Sequence, residues 1–268
     1  MSIDARPGGA RTAQSLGVEF PGDELLEQDH EWCRVTVGGS TRDIRFHDYD
    51  EIYAIPGLYE FLFYERLKCC SPQVVRELLE DELELEDVDP TSLRVLDLGA
   101  GNGMVGEELA DLGAETIVGI DLLPEAAAAA KRDRPGVYEA YYVCDLTELP
   151  GARRRELRSH RFNSLVTVAA LGFGDIPPLA FAEAFNLVAD GGWIAFNIKE
   201  HFLDDGDPTG FSRLIGKLLE SGLIEQRAEK VYQHRLATNG DGLDYVAIVG
   251  VKRGDVPDAL IREAESGG

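Results

Sequence analysis

From residue 94 onward, short apolar runs alternate with stretches whose apolar positions recur at helical intervals. RVLDLG (94–99) is apolar enough for a buried strand, MVGEELADLG (104–113) has helical spacing, and TIVGID (116–121) is a second strand. A helix follows over EAAAAAKRD (125–133), where alanine carries strong helix propensity. YYVCD (141–145), FNSLVTVAA (162–170) and GWIAFNI (192–198) predict three more strands, with a helix over LAFAEAFNLVADGG between the last two. Alternation of this kind means parallel strands joined by crossover helices.

The pattern changes toward the C-terminus. FSRLIGKLLESG (211–222) predicts a helix, then LIEQRAEKVYQHRL (223–236) and YVAIVGVKR (245–253) predict two strands separated only by the turn-rich ATNGDG, so they pair antiparallel. The predicted fold is α/β: a Rossmann-like, mostly parallel seven-stranded sheet with an antiparallel C-terminal hairpin and helices on both faces. This unit spans residues 90–253, and residues 254–268 read as a tail. Residues 1–40 mix Gly, Ser, Pro and charges without a durable period, which predicts a flexible region with one short strand at WCRVTV (32–37). Residues 41–89 predict a helical, aromatic-rich lid or cap. Tyr49, Tyr53, Tyr59, Phe61, Phe63 and Tyr64 crowd its first half, and a helix with Ser71 as its cap runs to about Leu83, before an acidic loop that ends at Pro90.

Composition narrows the class of partner. The 268 residues, 44% of them apolar, suffice for one large domain or a core domain with a smaller attachment. Against 26 basic residues stand 49 acidic ones, a net charge of −23, so the average field repels phosphate backbones and anionic bilayers; neither nucleic acid nor a membrane is an expected partner. The densest basic cluster, Arg153 to Arg155, reads as a solvated helix face. Cys33, Cys69, Cys70 and Cys144 show no CxxC pair and no metal-ligand spacing, and no HxxxH or HExxH occurs, so no metal is expected. Without a signal-peptide pattern or a bilayer-length apolar stretch, the expected setting is a reducing cytoplasm.

The turn after the first core strand carries the chemistry. Gly99, Gly101 and Gly103 stand directly between an apolar run and a helix, where the lack of a Cβ permits unusual dihedrals and a close backbone approach to a ligand. In an open parallel sheet, ligands sit beyond the carboxyl ends of the strands, near the point where strand order reverses. Asp121 ends the second strand, where a carboxylate can accept both hydrogen bonds of a ribose diol, and Asp145 ends the third in the same manner. Either acid could instead cap a helix. A nicotinamide dinucleotide would suit Asp121 equally, but the spacing is GxGxG, and Met104 stands where the last glycine of GxGxxG belongs.

Asp97, Gly99, Gly101 and Gly103 match, in order, the loop (D/E)xGxGxG, and on these motifs the chain resembles the class I S-adenosylmethionine-dependent methyltransferases over roughly residues 90–253. The resemblance implies S-adenosylmethionine as cofactor and a catalytic domain that binds it. Asp97, Gly99, Ala100, Gly101 and Gly103 would form the cofactor loop, Asp121 would hold the ribose, Leu122 would lie against adenine, and Asp145 with Leu146 would face the adenine amine. More narrowly, VLDLGAGNGMVGEEL, the GID strand end, YYVCDLTELP and the stretch from ALGFGDIP through GGWIAFNIKE are similar to the methyltransferase-like proteins named for the Williams-Beuren region. A protein that keeps such a pocket only as an interaction surface is the alternative, because fold does not entail catalysis.

Methyl transfer from a sulfonium is an in-line displacement, so the protein's tasks are to align the acceptor and exclude water. A hydroxyl or acidic carbon needs a base, and a neutral amine needs little help. Of five histidines, His201 in NIKEHF follows the fifth core strand and His234 in YQHRL lies near the closing loops; these are the candidate catalytic bases. The expected acceptor is a small molecule held beneath the segment from His47 to Tyr64. In related methyltransferases a segment before the first core strand covers the cofactor, which by resemblance places Tyr53, Tyr59 and Tyr64 at the substrate. A protein acceptor stays open, since an acidic enzyme can dock a basic polypeptide.

Overall fold

The computed structural model describes residues 16–22, 26–200 and 210–265. Near the N-terminus, β1 (Gly17–Glu19), β2 (Trp32–Val37) and β3 (Ser40–Arg45) form a small antiparallel sheet. The strand expected at 32–37 is present, but the reading of residues 1–40 as otherwise flexible is corrected for the described part. Only Ile44 of the six side chains in β3 is buried, so the strand has no apolar period to read. The legible signal was Gly38-Gly39. Both adopt left-handed φ (58° and 86°), as the tight turn that suits hairpin twist requires. α1 (Tyr49–Ala54) and a π-helical segment (Glu60–Arg66) follow, and Ile52, Leu58 and Leu62 join Val35, Ile44 and Phe46 in one apolar cluster.

α2 (Ser71–Leu85) comes next. Ser71 does not cap it. The residue is already helical and buried, and its Oγ lies 2.6 Å from His234 Nδ1. Pro72 is tolerated there because the first turn of a helix has no partner for its N–H groups.

The main domain then runs β4 (Arg94–Leu98), α3 (Met104–Leu112), β5 (Thr116–Asp121), α4 (Pro124–Asp133), β6 (Ala140–Val143), α5 (Gly151–Ser159), β7 (Ser164–Thr167), α6 (Pro178–Phe185), β8 (Trp193–Lys199), α7 (Phe211–Glu220), β9 (Ile224–Leu236), β10 (Gly242–Lys252) and α8 (Asp258–Glu265). The sheet has seven strands in the order β6-β5-β4-β7-β8-β10-β9. β10 runs antiparallel to both its neighbours, and the remaining pairings are parallel. Successive side chains along the strands alternate between two cores. Leu96, Leu98, Val118, Ile120, Ile194 and Phe196 pack with α5, α6, α7 and α8, whereas Val95, Ile117, Trp193 and Ala195 pack with α2 and α3. Strands buried on both faces read as continuous apolar runs, which is why they were legible.

Two boundaries differ from the sequence reading in ways that matter. Where the sequence pattern predicts a tail after residue 253, α8 packs on the core through Ile261, and Val256 N–H donates to Asn186 Oδ1 at 2.7 Å. The third core strand stops at Val143, so Asp145 stands two residues beyond its end. The basic cluster lies on α5, where Arg153 pairs with Glu156 and Arg154 with Glu183. Among the described residues, no helix is long and apolar enough to cross a membrane.

Candidate active site

Strand order reverses between β4 and β7, and a cavity of about 350 Å³ opens at their carboxyl ends. That size suits a small-molecule ligand. Each of the four strands around the reversal contributes: Gly99 after β4, Asp121 and Leu122 at the end of β5, Asp145 and Leu146 after β6, Val168 and Ala169 after β7. Tyr49, Tyr53 and Tyr59 cover it from the N-terminal segment.

The three turn glycines all adopt left-handed φ, 73° at Gly99, 52° at Gly101 and 89° at Gly103, a region that strains any residue with a Cβ. Space is short as well. A Cβ on Gly99 would lie 2.8 Å from Ala170 Cβ, and one on Gly101 would lie 2.5 Å from the Tyr53 hydroxyl. Asp121 ties the loop down: its Oδ2 accepts Gly101 N–H at 2.9 Å and its Oδ1 accepts Leu123 N–H at 3.0 Å. Burial raises the Asp121 pKa, and these backbone N–H groups oppose the shift.

The remaining predicted cofactor residues divide. Leu122 lies 59% exposed beside Asp121, an apolar face open at the cavity wall. Asp145 reaches the cavity too, but its Oδ1 accepts Thr147 N–H at 2.8 Å and the Thr147 hydroxyl at 2.7 Å, so it also closes a turn. Asp97 is not on the cavity wall. It is fully buried beneath the loop, its Oδ2 accepts the Tyr138 hydroxyl at 2.7 Å, and its Oδ1 has no partner. Burial pushes its pKa up to about 7, against the pull of the Tyr138 bond and with help from the Asp121 charge. Ala100, Gly101 and Gly103 likewise shape the loop without lining the cavity. Tyr138 and Tyr141 went unnoticed in the sequence. Tyr141 donates its hydroxyl to Gly101 C=O at 2.7 Å, and Tyr138 fills the space that side chains on Gly103 and Gly106 would need.

Of the candidate bases, His201 lies outside the described residues. His234 lines a second cavity of about 40 Å³ adjoining the first. It is buried, its ring centroid is 4.1 Å from that of Tyr245, and burial together with the Arg235 charge holds its pKa well below the usual imidazole range. Such a ring resists taking a proton. Its place is fixed by a buried network: Ser71 Oγ meets His234 Nδ1 and, at 2.5 Å, the Tyr232 hydroxyl, while Asn197 Nδ2 donates to both hydroxyls. Asn197 Oδ1 accepts Ala169 N–H at 2.6 Å. That bond steadies Ala169, a residue with φ of 54° at the wall of both cavities, a strained geometry of the kind that collects at functional sites. Of the tyrosines placed at the substrate, Tyr53 and Tyr59 line the main cavity, and Tyr64 lines neither.

One histidine on both cavity walls was not among the candidate bases. His47 Nδ1 lies 3.0 Å from Asp175 Oδ2 and 3.3 Å from Oδ1, across 128 residues of chain. Among the described residues, no group of three or more His, Cys, Asp or Glu side chains is placed to hold a metal.

Residues 96–196 match the model of a family described as a methyltransferase domain. This stretch is similar to a methyltransferase domain, and the sheet around it has the order of a Rossmann-like α/β fold. The N-methyltransferase NodS from Bradyrhizobium japonicum, solved with S-adenosyl-l-homocysteine, superposes on this domain and its surroundings with a TM-score of 0.52 at 13% identity, over 78% of this chain and 98% of that one. Magnesium protoporphyrin IX methyltransferase from Synechocystis PCC 6803, with bound S-adenosylmethionine, gives 0.46 at 15% identity over 68% and 79% of the two chains. The NodS likeness supports the methyltransferase fold, and identity at that level says nothing of the acceptor. No curated protein matches the sequence.

Proposed function

We propose that this protein transfers the methyl group of S-adenosylmethionine to a small-molecule acceptor. The observation that carries the reading is one cavity on which Gly99, Asp121, Leu122, Asp145 and Leu146 converge from three strand ends. The residues fit the cofactor. Each Asp121 oxygen accepts one backbone N–H and keeps lone-pair capacity for a ribose hydroxyl. Exposed Leu122 offers adenine an apolar face, and Asp145 can accept from its amine. The amino end of α3 favours the cofactor's carboxylate. Asp97 and Tyr138 hold the loop from beneath.

When bound, the cofactor supplies a methyl group on cationic sulfur. The chain's own work is to align an acceptor with that bond and to keep water out, which the aromatic wall of Tyr49, Tyr53 and Tyr59 favours. NodS, solved with S-adenosyl-l-homocysteine, supports the choice of cofactor. The motif wording of residues 95–109 and 170–200 supports kinship with the methyltransferase-like proteins named for the Williams-Beuren region. Four free cysteines support a reducing, cytoplasmic setting. The test is an incubation of the protein with methyl-labelled S-adenosylmethionine and a cell extract separated by size. Label should enter the small-molecule fraction; label confined to protein would overturn the acceptor class.

A further inference from the structure

The acceptor chemistry is written in a residue pair that lies far apart in sequence. His47 and Asp175 meet at the junction of the two cavities, with side chains 16% and 28% exposed. The His47 ring sits edge-on to Tyr49, 5.7 Å between centroids, and tilted against Phe173 at 5.4 Å, so two aromatic walls and one carboxylate fix its orientation. Nδ1 faces Asp175, which leaves Nε2 as the nitrogen available to a ligand. The groups around it come from four elements: Asp175 from the loop after β7, Tyr49 from α1, Tyr59 from the start of the π-helical segment, and His234 with Arg235 from β9.

Resting on the methyltransferase reading above, we infer that His47, oriented by Asp175, is the general base for an acceptor of the phenol or enol class. A neutral amine already offers its lone pair and gives a base nothing to do. A cationic amine would want a carboxylate of its own, yet of the three that line the cavity Asp121 and Asp145 are the ones assigned to the cofactor above, and Asp175 holds His47. A phenol or enol O–H gives a base a proton to take, and a phenol's ring suits the aromatic walls. The second cavity has room for about three water-sized groups, enough for a short polar substituent but not for a polypeptide segment.

The step balances without a further reagent. The acceptor O–H bond breaks and its proton passes to His47 Nε2, the oxygen lone pair forms the new O–CH3 bond, and the S–CH3 bond breaks with its electrons left on sulfur, which becomes a neutral thioether. Asp175 accepts from Nδ1–H throughout and stabilises the imidazolium, which then loses its proton to water.

The experiment uses the full chain saturated with S-adenosylhomocysteine and 4-nitrophenol as probe, read by phenolate absorbance at a pH where the free compound is mostly protonated. The wild-type complex should raise the phenolate fraction several-fold over that of free probe. His47→Gln should return it to the free value, and Asp175→Asn, which keeps an acceptor for Nδ1–H, should give an intermediate one. Thermal midpoints and S-adenosylhomocysteine affinities of both variants should stay near wild type, which separates a base from a clamp. Phenolate unchanged by His47→Gln, or no binding of the probe to the saturated complex, overturns the inference. Absence of S-adenosylhomocysteine binding overturns the methyltransferase reading instead.

Discussion

Asp97 and Asp121 show how one residue type does two jobs around a single loop. Asp97, buried with a pKa raised to about 7, holds a proton in the folded state that the unfolded chain has lost above about pH 4. The folded state therefore binds more protons between those values, so this group's stabilisation is full below about pH 4 and falls as pH rises, levelling off above about 7. Asp97→Asn keeps an acceptor for the Tyr138 hydroxyl and removes that slope. Its thermal midpoint should gain on wild type from pH 5 to pH 8; parallel curves would mean that Asp97 is ionised throughout. Asp121 instead holds two backbone N–H groups and faces the cavity. Asp121→Ala should weaken S-adenosylhomocysteine binding by about 2–4 kcal/mol, or ~30- to 1000-fold, because charge-assisted hydrogen bonds are lost. Calorimetry showing affinity within a factor of three of wild type would leave Asp121 as a loop tie alone.

At the scale of elements, the glycine turn and the N-terminal segment meet at one point. The Tyr53 hydroxyl rests on Gly101, and the segment is docked by Arg132, which donates to Tyr53 C=O at 3.1 Å, and by Arg134, buried between Glu60 and Glu107. Gly101→Ala should therefore lower the thermal midpoint through both left-handed φ and the collision with Tyr53. Adding Tyr53→Phe should recover part of that loss. No recovery in the double variant would show that backbone strain alone sets the cost. The turn was legible because glycine spacing is a local property, and the core strands because burial on both faces leaves an unbroken apolar run. β3, α8 and the pairing of His47 with Asp175 were not. β3 buries one side chain of six, α8 is short and has mixed charge, and the pair is assembled only when the N-terminal segment folds over β7. Sequence position alone likewise does not say which way the side chains of His234 and Tyr64 face.

For the molecule as a whole, a net charge of −23 works against compaction. Screening should relieve it. The thermal midpoint is expected to rise when ionic strength goes from about 0.01 M to about 0.15 M, as the Debye length falls from about 30 Å to about 8 Å, and a fall would mean that ion pairs outweigh the repulsion. The same charge argues for an acceptor that is not a polyanion, and the cavity argues for one that is small. Both arguments depend on the cavity at the strand reversal holding S-adenosylmethionine, and isothermal titration of the full chain tests that claim most directly. S-adenosylhomocysteine should bind with one-to-one stoichiometry at roughly micromolar affinity, the range typical of enzyme substrates, and NADH should give no heat. Heat from NADH with none from S-adenosylhomocysteine would contradict the account.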